Sequence, residues 1–185
     1  MPAVTHTSAD FDVIVLGAGA SGLFCAFTAA QRGRRALVLE RANKIGKKIL
    51  MSGGGRCNFT NQMVEPSNFL SRNPHFCKSA LQRYNQWEFI SLVEQHGIAY
   101  EERKHSQLFC QDSAKQIVAM LEDECIQAGV EIRTQCELER LEALNETGNA
   151  ARYRLHLQHS GRTQKLTCTT VVVATGALSV PTLGG

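Results

Sequence analysis

Apolar positions along the chain come first as short runs and later as helical stripes and strand-like alternations. Residues 11–16 (FDVIVL) are a short apolar run, the pattern of a parallel strand buried on both faces. Gly17-Ala18-Gly19-Ala20-Ser21-Gly22 follows directly, and residues 23–32 are rich in Ala, Phe and Cys, small enough to pack a helix close to a sheet. Gly33 stands where that helix should stop. Residues 36–39 (ALVL) predict a second strand, closed by Glu40. Strand, helix and strand within this length predict a right-handed parallel βαβ unit.

Residues 41–75 lose periodicity and gain Gly, Asn, Ser and Lys, which predicts a long loop, and loops of that length are functional or disordered. Helices are expected at 76–84 and 87–96, the second burying Phe89, Leu92 and Val93, with Trp87 anchoring it to the core. A better-marked helix is expected at 114–128. Ser113 and Gln116 have capping-box spacing, and Ala114, Ile117, Val118, Leu121 and Cys125 recur on one stripe. Strands are expected at 130–134, 137–144, 152–159 and 165–173, with a turn at 145–149. In the third of these, Tyr153, Leu155 and Leu157 alternate with Arg154, His156 and Gln158, a strand with one wet face. The architecture is therefore α/β, a parallel sheet with a small antiparallel element. The domain should run over 11–185, after a disordered 1–10.

Charge adds a local feature. The net +3 is too small to argue for nucleic acid, so no nucleic-acid partner is expected. Eight of the 20 Lys and Arg lie between Arg32 and Arg56, where Glu40 is the only acid. That segment suits a small anionic ligand, or a solvated basic face. Seven cysteines lack C-x-x-C pairs and metal-ligand spacing, so reduced thiols in a cytoplasmic protein are expected, with no metal site. The first nine residues carry no signal-peptide pattern, and the longest apolar runs fall far short of the roughly 20 residues of a membrane helix, so no membrane partner is expected.

The chemistry concentrates in two motifs. In Gly17-x-Gly19-x-x-Gly22, the first glycine permits the tight turn, the second lets the backbone approach a diphosphate, and the third lets the helix sit close to the strand. Ala20 and Ser21 open the helix, whose N-terminal amides and dipole favour an anion. Glu40, eighteen residues beyond Gly22, is placed to accept from ribose hydroxyls. This motif does not separate FAD from NAD, and a methyltransferase or NAD reductase can begin the same way. The second motif is GKKILMSGGGRCNFTN at 46–61. Three consecutive glycines are costly to order, so a folded chain keeps them where backbone passes close to something flat or charged. Arg56 offers a cationic fork, Lys47 and Lys48 add charge, and Arg56 with neighbouring amides would lower the pKa of Cys57. Even so, Cys57 is read as a cofactor contact. His75, His96 and His105 lack ligand-spaced partners, and His156 and His159 read as surface residues.

Together, GAGASGL and GKKILMSGGGRCNFTN resemble the BaiN-like flavoprotein family of NAD(P)/FAD-dependent oxidoreductases, also called the aminoacetone oxidase family. NPHFCKSAL, QLFCQDSAKQIVAML and VVVATGALSVPTLGG extend the resemblance to the end of the chain. It implies a glutathione-reductase-type FAD-binding Rossmann-like domain, with NAD(P)H as a possible electron donor. The diphosphate would lie at Gly17, Gly19, Ala20, Ser21 and Gly22, and the ribose at Glu40 with Arg41 beside it. Flavin-side contacts would fall on Lys48, Arg56, Cys57 and Asn58, a second contact on Ala174, Thr175 and Gly176, and an adenine contact on the backbone from Cys136 to Leu138. Family members continue into a substrate-domain insertion, so the chain is expected to be truncated before it. No catalytic acid or base is identified, and either an oxidoreductase or an inactive FAD-binding remnant fits.

Overall fold

The computed structural model describes residues 8–144 and 150–176, which leaves the expected 145–149 turn outside the described residues. The single domain expected over 11–185 divides into two compact units, Met1–Lys47 with Leu121–Gly185, and Lys48–Met120.

In the first unit, strand β1 (Phe11–Leu16) leads through the glycine turn into helix α1 (Ala20–Gln31) and back into β2 (Ala36–Leu39). All four residues of β2 and the last three of β1 are buried, as parallel strands covered on both faces must be. Helix α2 (Lys47–Met51), β3 (Asn58–Asn61), α3 (Lys78–Arg83), α4 (Gln86–Gln95), β4 (Tyr100–Glu102), β5 (Gln107–Cys110) and α5 (Lys115–Gln127) follow. The chain then returns through β6 (Glu131–Arg133), β7 (Cys136–Ala143), β8 (Tyr153–His159) and β9 (Arg162–Val173).

Six strands form one sheet in the order β6-β2-β1-β9-β8-β7. The first four run parallel, and β9, β8 and β7 form an antiparallel meander. Strand β9 joins the two regimes. Its first half pairs with β8 as far as Cys168 opposite Tyr153, and its second half pairs with β1 as far as Val173 opposite Leu16. One face carries a core of Ile14, Leu16, Leu37, Leu39, Cys136, Leu155, Leu157 and Cys168. Leu155 and Leu157 point inward while Arg154, His156 and Gln158 line the wetter face, as the alternation predicts. His156 is less exposed than a surface residue: its Nε2 lies 3.3 Å from Glu142 Oε2, although misaligned for a good hydrogen bond. That neighbour, with Arg140 and Arg154, holds the Glu142 carboxyl below its usual range.

Two corrections concern order and burial. The ordered chain reaches back past Phe11: Ala9 is buried, and Asp10 accepts from both the backbone N–H and the hydroxyl of Thr167. Trp87 does not anchor its helix, being 56% exposed. Helix α4 instead buries Ile90 and Val93, with Phe89 and Leu92 only half-buried, and is capped by Asn85 and Glu88.

The second unit holds a sheet absent from the sequence expectations, with β5 between β3 and β4, all antiparallel. Residues 41–75 are therefore only partly a loop. Phe59 of β3 packs edge-on against Tyr100 of β4 and meets Phe89 of α4 at 6.1 Å. The α5 stripe is as expected, with Ala114, Ile117, Val118, Leu121 and Cys125 all buried.

Candidate functional site

The carboxyl ends of β1, β2 and β9 meet at Gly17, Glu40 and Ala174. The Gly17 amide donates to Leu39 O, and the Ala174 amide to Leu16 O. The chain leaves β1 towards β2 on one side, and β9 returns on the other. That makes β1 the switch point where doubly wound sheets bind ligands.

The three glycines have different physical duties here. Gly17 has φ +103°, and a Cβ on it would lie 2.5 Å from Ala174 O. At Gly22 a Cβ would fall 1.9 Å from Gly17 O, so α1 approaches the turn only because that atom is missing. Gly19 differs: a Cβ there would meet nothing within 4 Å. Its backbone is extended (φ −84°, ψ −174°), no side chain caps α1 at this end, and no acid lies in the first turn. Ala20 and Ser21 are exposed beside it. Packing does not require a glycine at 19; the open space suits a group that must come close to the helix N-terminus. Diphosphate is such a group.

Glu40 is more engaged than its sequence position indicates. Its Oε2 accepts from the Ala18 amide at 2.8 Å and its Oε1 from the Ala42 amide at 2.7 Å. It thus ties the glycine turn to the segment after β2, and the Gly46 amide adds a second tie to Ala18 O. Each carboxylate oxygen retains a second acceptor direction for a ribose hydroxyl. Replacing Glu40 with Ala is expected to destabilise even the ligand-free protein, by about 1–3 kcal/mol, the range for losing hydrogen bonds to a charged acceptor. The shift of the urea midpoint measures it, and an unmoved midpoint would refute the tie.

Arg41 is exposed and lines a polar cleft of about 370 Å³ with Asn43, Gln135, Glu137, Gln158 and the Ser160–Gly161 turn. The Gln135 amide donates to Ala42 O and the Cys136 amide to Glu40 O, so this backbone borders the Glu40 side of the site. Sequence reasoning missed Asn43 and Gln135, which no motif marks, while Glu137 lies in the 136–138 segment that the resemblance assigns to the adenine. The side chain of Leu138 packs on the core cluster, leaving only its backbone for an adenine contact. Ala174, Thr175 and Gly176 follow β9 directly, and Ala174 abuts Gly17 and Gly22.

Lys48, Arg56, Cys57 and Asn58 belong to the second unit. Gly53, Gly54 and Gly55 all take left-handed backbone (φ 57°, 66° and 87°), and a Cβ on Gly53 would lie 2.6 Å from the Phe109 ring. The triple glycine thus has a geometric cause within its own unit. The Gly55 carbonyl accepts from Ala114 and the Arg56 carbonyl from Cys110, which stitches the loop to β5 and the start of α5. The Arg56 side chain lies 3.5 Å from Glu101, which also pairs with Arg103. In the orientation that satisfies its amide, Asn58 donates to Thr60 O and Leu108 O. Lys48 is half-buried. Cys57 overturns an expectation. Its thiol is buried and its pKa is raised, because desolvation outweighs the Ser52 hydroxyl beside it. Cys110 nearby is pushed up to about 11, also chiefly by burial. Neither is an activated thiolate, and all seven cysteines are free. Among the described residues there is no cluster of His, Cys, Asp and Glu able to hold a metal ion, and no helix long and apolar enough to cross a membrane.

Fold and glycine turn define a dinucleotide-binding Rossmann-like α/β protein. The chain belongs to the HI0933-like protein Rossmann domain family, whose model matches residues 11–185; this is the BaiN-type FAD-binding family of oxidoreductases. It is 53% identical over 174 residues to the ribosomal RNA dihydrouridine synthase of Escherichia coli, covering 94% of this chain and 41% of the relative. The protein of that name from Haemophilus influenzae is 48% identical over 171 residues, 92% of this chain and again 41% of the relative. The chain thus spans less than half the length of these relatives. Among solved structures, the 3-ketosteroid-delta4-(5alpha)-dehydrogenase of Rhodococcus jostii aligns with 95% of this chain and 48% of its own, at a TM-score of 0.67 and 16% identity, a likeness of fold.

Proposed function

We propose that this chain is the FAD-binding N-terminal part of a flavin-dependent oxidoreductase that reduces uridine in ribosomal RNA. The observation that carries the reading is the 53% identity to a ribosomal RNA dihydrouridine synthase across 94% of the chain. The open space at Gly19 supports a dinucleotide diphosphate, since no protein atom would meet a Cβ there, and the family makes that dinucleotide FAD. Gly17, Gly19, Ala20, Ser21 and Gly22 hold the diphosphate; Glu40 and Arg41 hold the ribose. Ala174, Thr175 and Gly176 would add a second contact to the cofactor. Converting uridine to dihydrouridine saturates one carbon–carbon double bond and takes up two electrons and two protons. When bound, FAD would supply the two-electron chemistry, with NAD(P)H as the electron source. An RNA substrate departs from the expectation drawn from net charge, and it goes with a cytoplasmic location.

The test is genetic and chemical together. Deleting the gene for this chain should remove dihydrouridine from ribosomal RNA, read by mass spectrometry of nucleosides, and the intact gene should restore it. Ribosomal RNA unchanged by the deletion would overturn the substrate. Bound flavin that NAD(P)H fails to bleach would count against the oxidoreductase reading.

A further inference from the structure

We infer that the stretch 66–87 is a landing surface for single-stranded RNA, an inference that rests on the RNA substrate proposed above. Its observations are independent of the cofactor site. Between Pro66 and Trp87 the sequence carries Arg72, Lys78 and Arg83 and no Asp or Glu. Large apolar side chains stand in solvent among these cations: Leu70 is 96% exposed, Trp87 56%, Phe76 54% and Phe69 39%. Phe69 and Phe76 meet edge to face at 6.5 Å, so two of the rings form one patch. The buried Cys77 thiol reaches Pro66 O at 3.8 Å, and Gln86 donates to Gln62 O, which pin the stretch at both ends while its rings stay outside.

Soluble proteins rarely leave several aromatics exposed within twenty residues without a use for them. A protein-docking face would concentrate apolar groups and exclude charge from its centre. Here three cations are interspersed with the rings along the sequence, a composition that suits a polyanion whose unstacked bases lie on aromatic faces. Charge complementarity therefore selects nucleic acid over a protein partner. Single-stranded RNA is favoured over duplex, because rings gain nothing from bases already stacked.

Fluorescence anisotropy with a labelled single-stranded uridine-rich oligonucleotide tests this on the full chain. Phe76→Ala and Trp87→Ala are each expected to weaken binding roughly tenfold or more, the scale of one lost base stack. The triple variant Arg72→Gln, Lys78→Gln, Arg83→Gln should lower the slope of log affinity against log salt by about 2, near 0.7 per phosphate contact. All are exposed substitutions, so flavin absorbance should stay at the parent level in each. Binding unchanged in these variants, beside a parent that binds RNA, would overturn this inference and leave the proposed function standing. A parent that binds no RNA would overturn both. Trp87 is the single tryptophan, so acrylamide quenching reports on it directly. A Trp87 shielded in the RNA-free protein would show a face covered by protein and would overturn the inference as well.

Discussion

Gly19→Val protein is expected to purify folded and colourless. A Cβ at this position meets no atom within 4 Å, and φ −84° with ψ −174° is extended backbone that a β-branched residue adopts without strain. Stability should fall by no more than about 1 kcal/mol, the scale of exchanging glycine for an aliphatic residue at a helix N-cap. The ligand has no such tolerance. The isopropyl group would fill the space through which a diphosphate reaches the first amides of α1, and no side chain of the helix start can replace that contact. Flavin affinity should fall at least a hundredfold, about 2.7 kcal/mol or more. Flavin absorbance per protein, followed by titration with added FAD, measures it. A yellow, stoichiometrically loaded Gly19→Val protein would remove the diphosphate from this turn.

The contrast between positions explains what the sequence could and could not disclose. The spacing of Gly17, Gly19 and Gly22 between an apolar run and a small-residue helix is a local pattern, so β1, α1 and β2 were legible in outline. The meander was legible too, because Leu155 and Leu157 alternate with polar neighbours. The sheet of β3, β5 and β4 was not. Its strands are three or four residues long, NFTN and YEE are mostly polar, and the pairing of β3 with β5 joins segments some fifty residues apart. Trp87 and Cys57 were misread for a related reason. An aromatic on an amphipathic helix reads as core until the neighbouring elements are placed, and Arg56 beside Cys57 reads as its activator until the fold buries the thiol, where desolvation raises its pKa. Glu40 carried both kinds of information: its place after β2 marked the site, while its bonds to Ala18 and Ala42 depended on the turn's final shape.

Gly22→Ala should fail in the opposite way, through the fold first and the ligand second. The added methyl would sit 1.9 Å from the Gly17 carbonyl oxygen, 3.1 Å from its carbon and 3.4 Å from Ala174 Cβ. The first two of these are backbone atoms, so no side-chain rotation relieves the contact. Gly17 cannot give way easily, since its own missing Cβ already lets Ala174 O approach and its amide is bonded to Leu39 O. The start of α1 must therefore lift from the sheet, loosening Leu23, Ala26 and Phe27, all buried. Overpacking of this kind costs about 1–3 kcal/mol where side chains adjust, and a clash with backbone belongs at or above the upper end. The urea midpoint of flavin-free protein should fall accordingly, and flavin retention should fall with it because the amides of α1 are displaced. A Gly22→Ala protein with parental stability would mean that helix and turn are not in the contact described, and the separate roles assigned to Gly19 and Gly22 would fall with it.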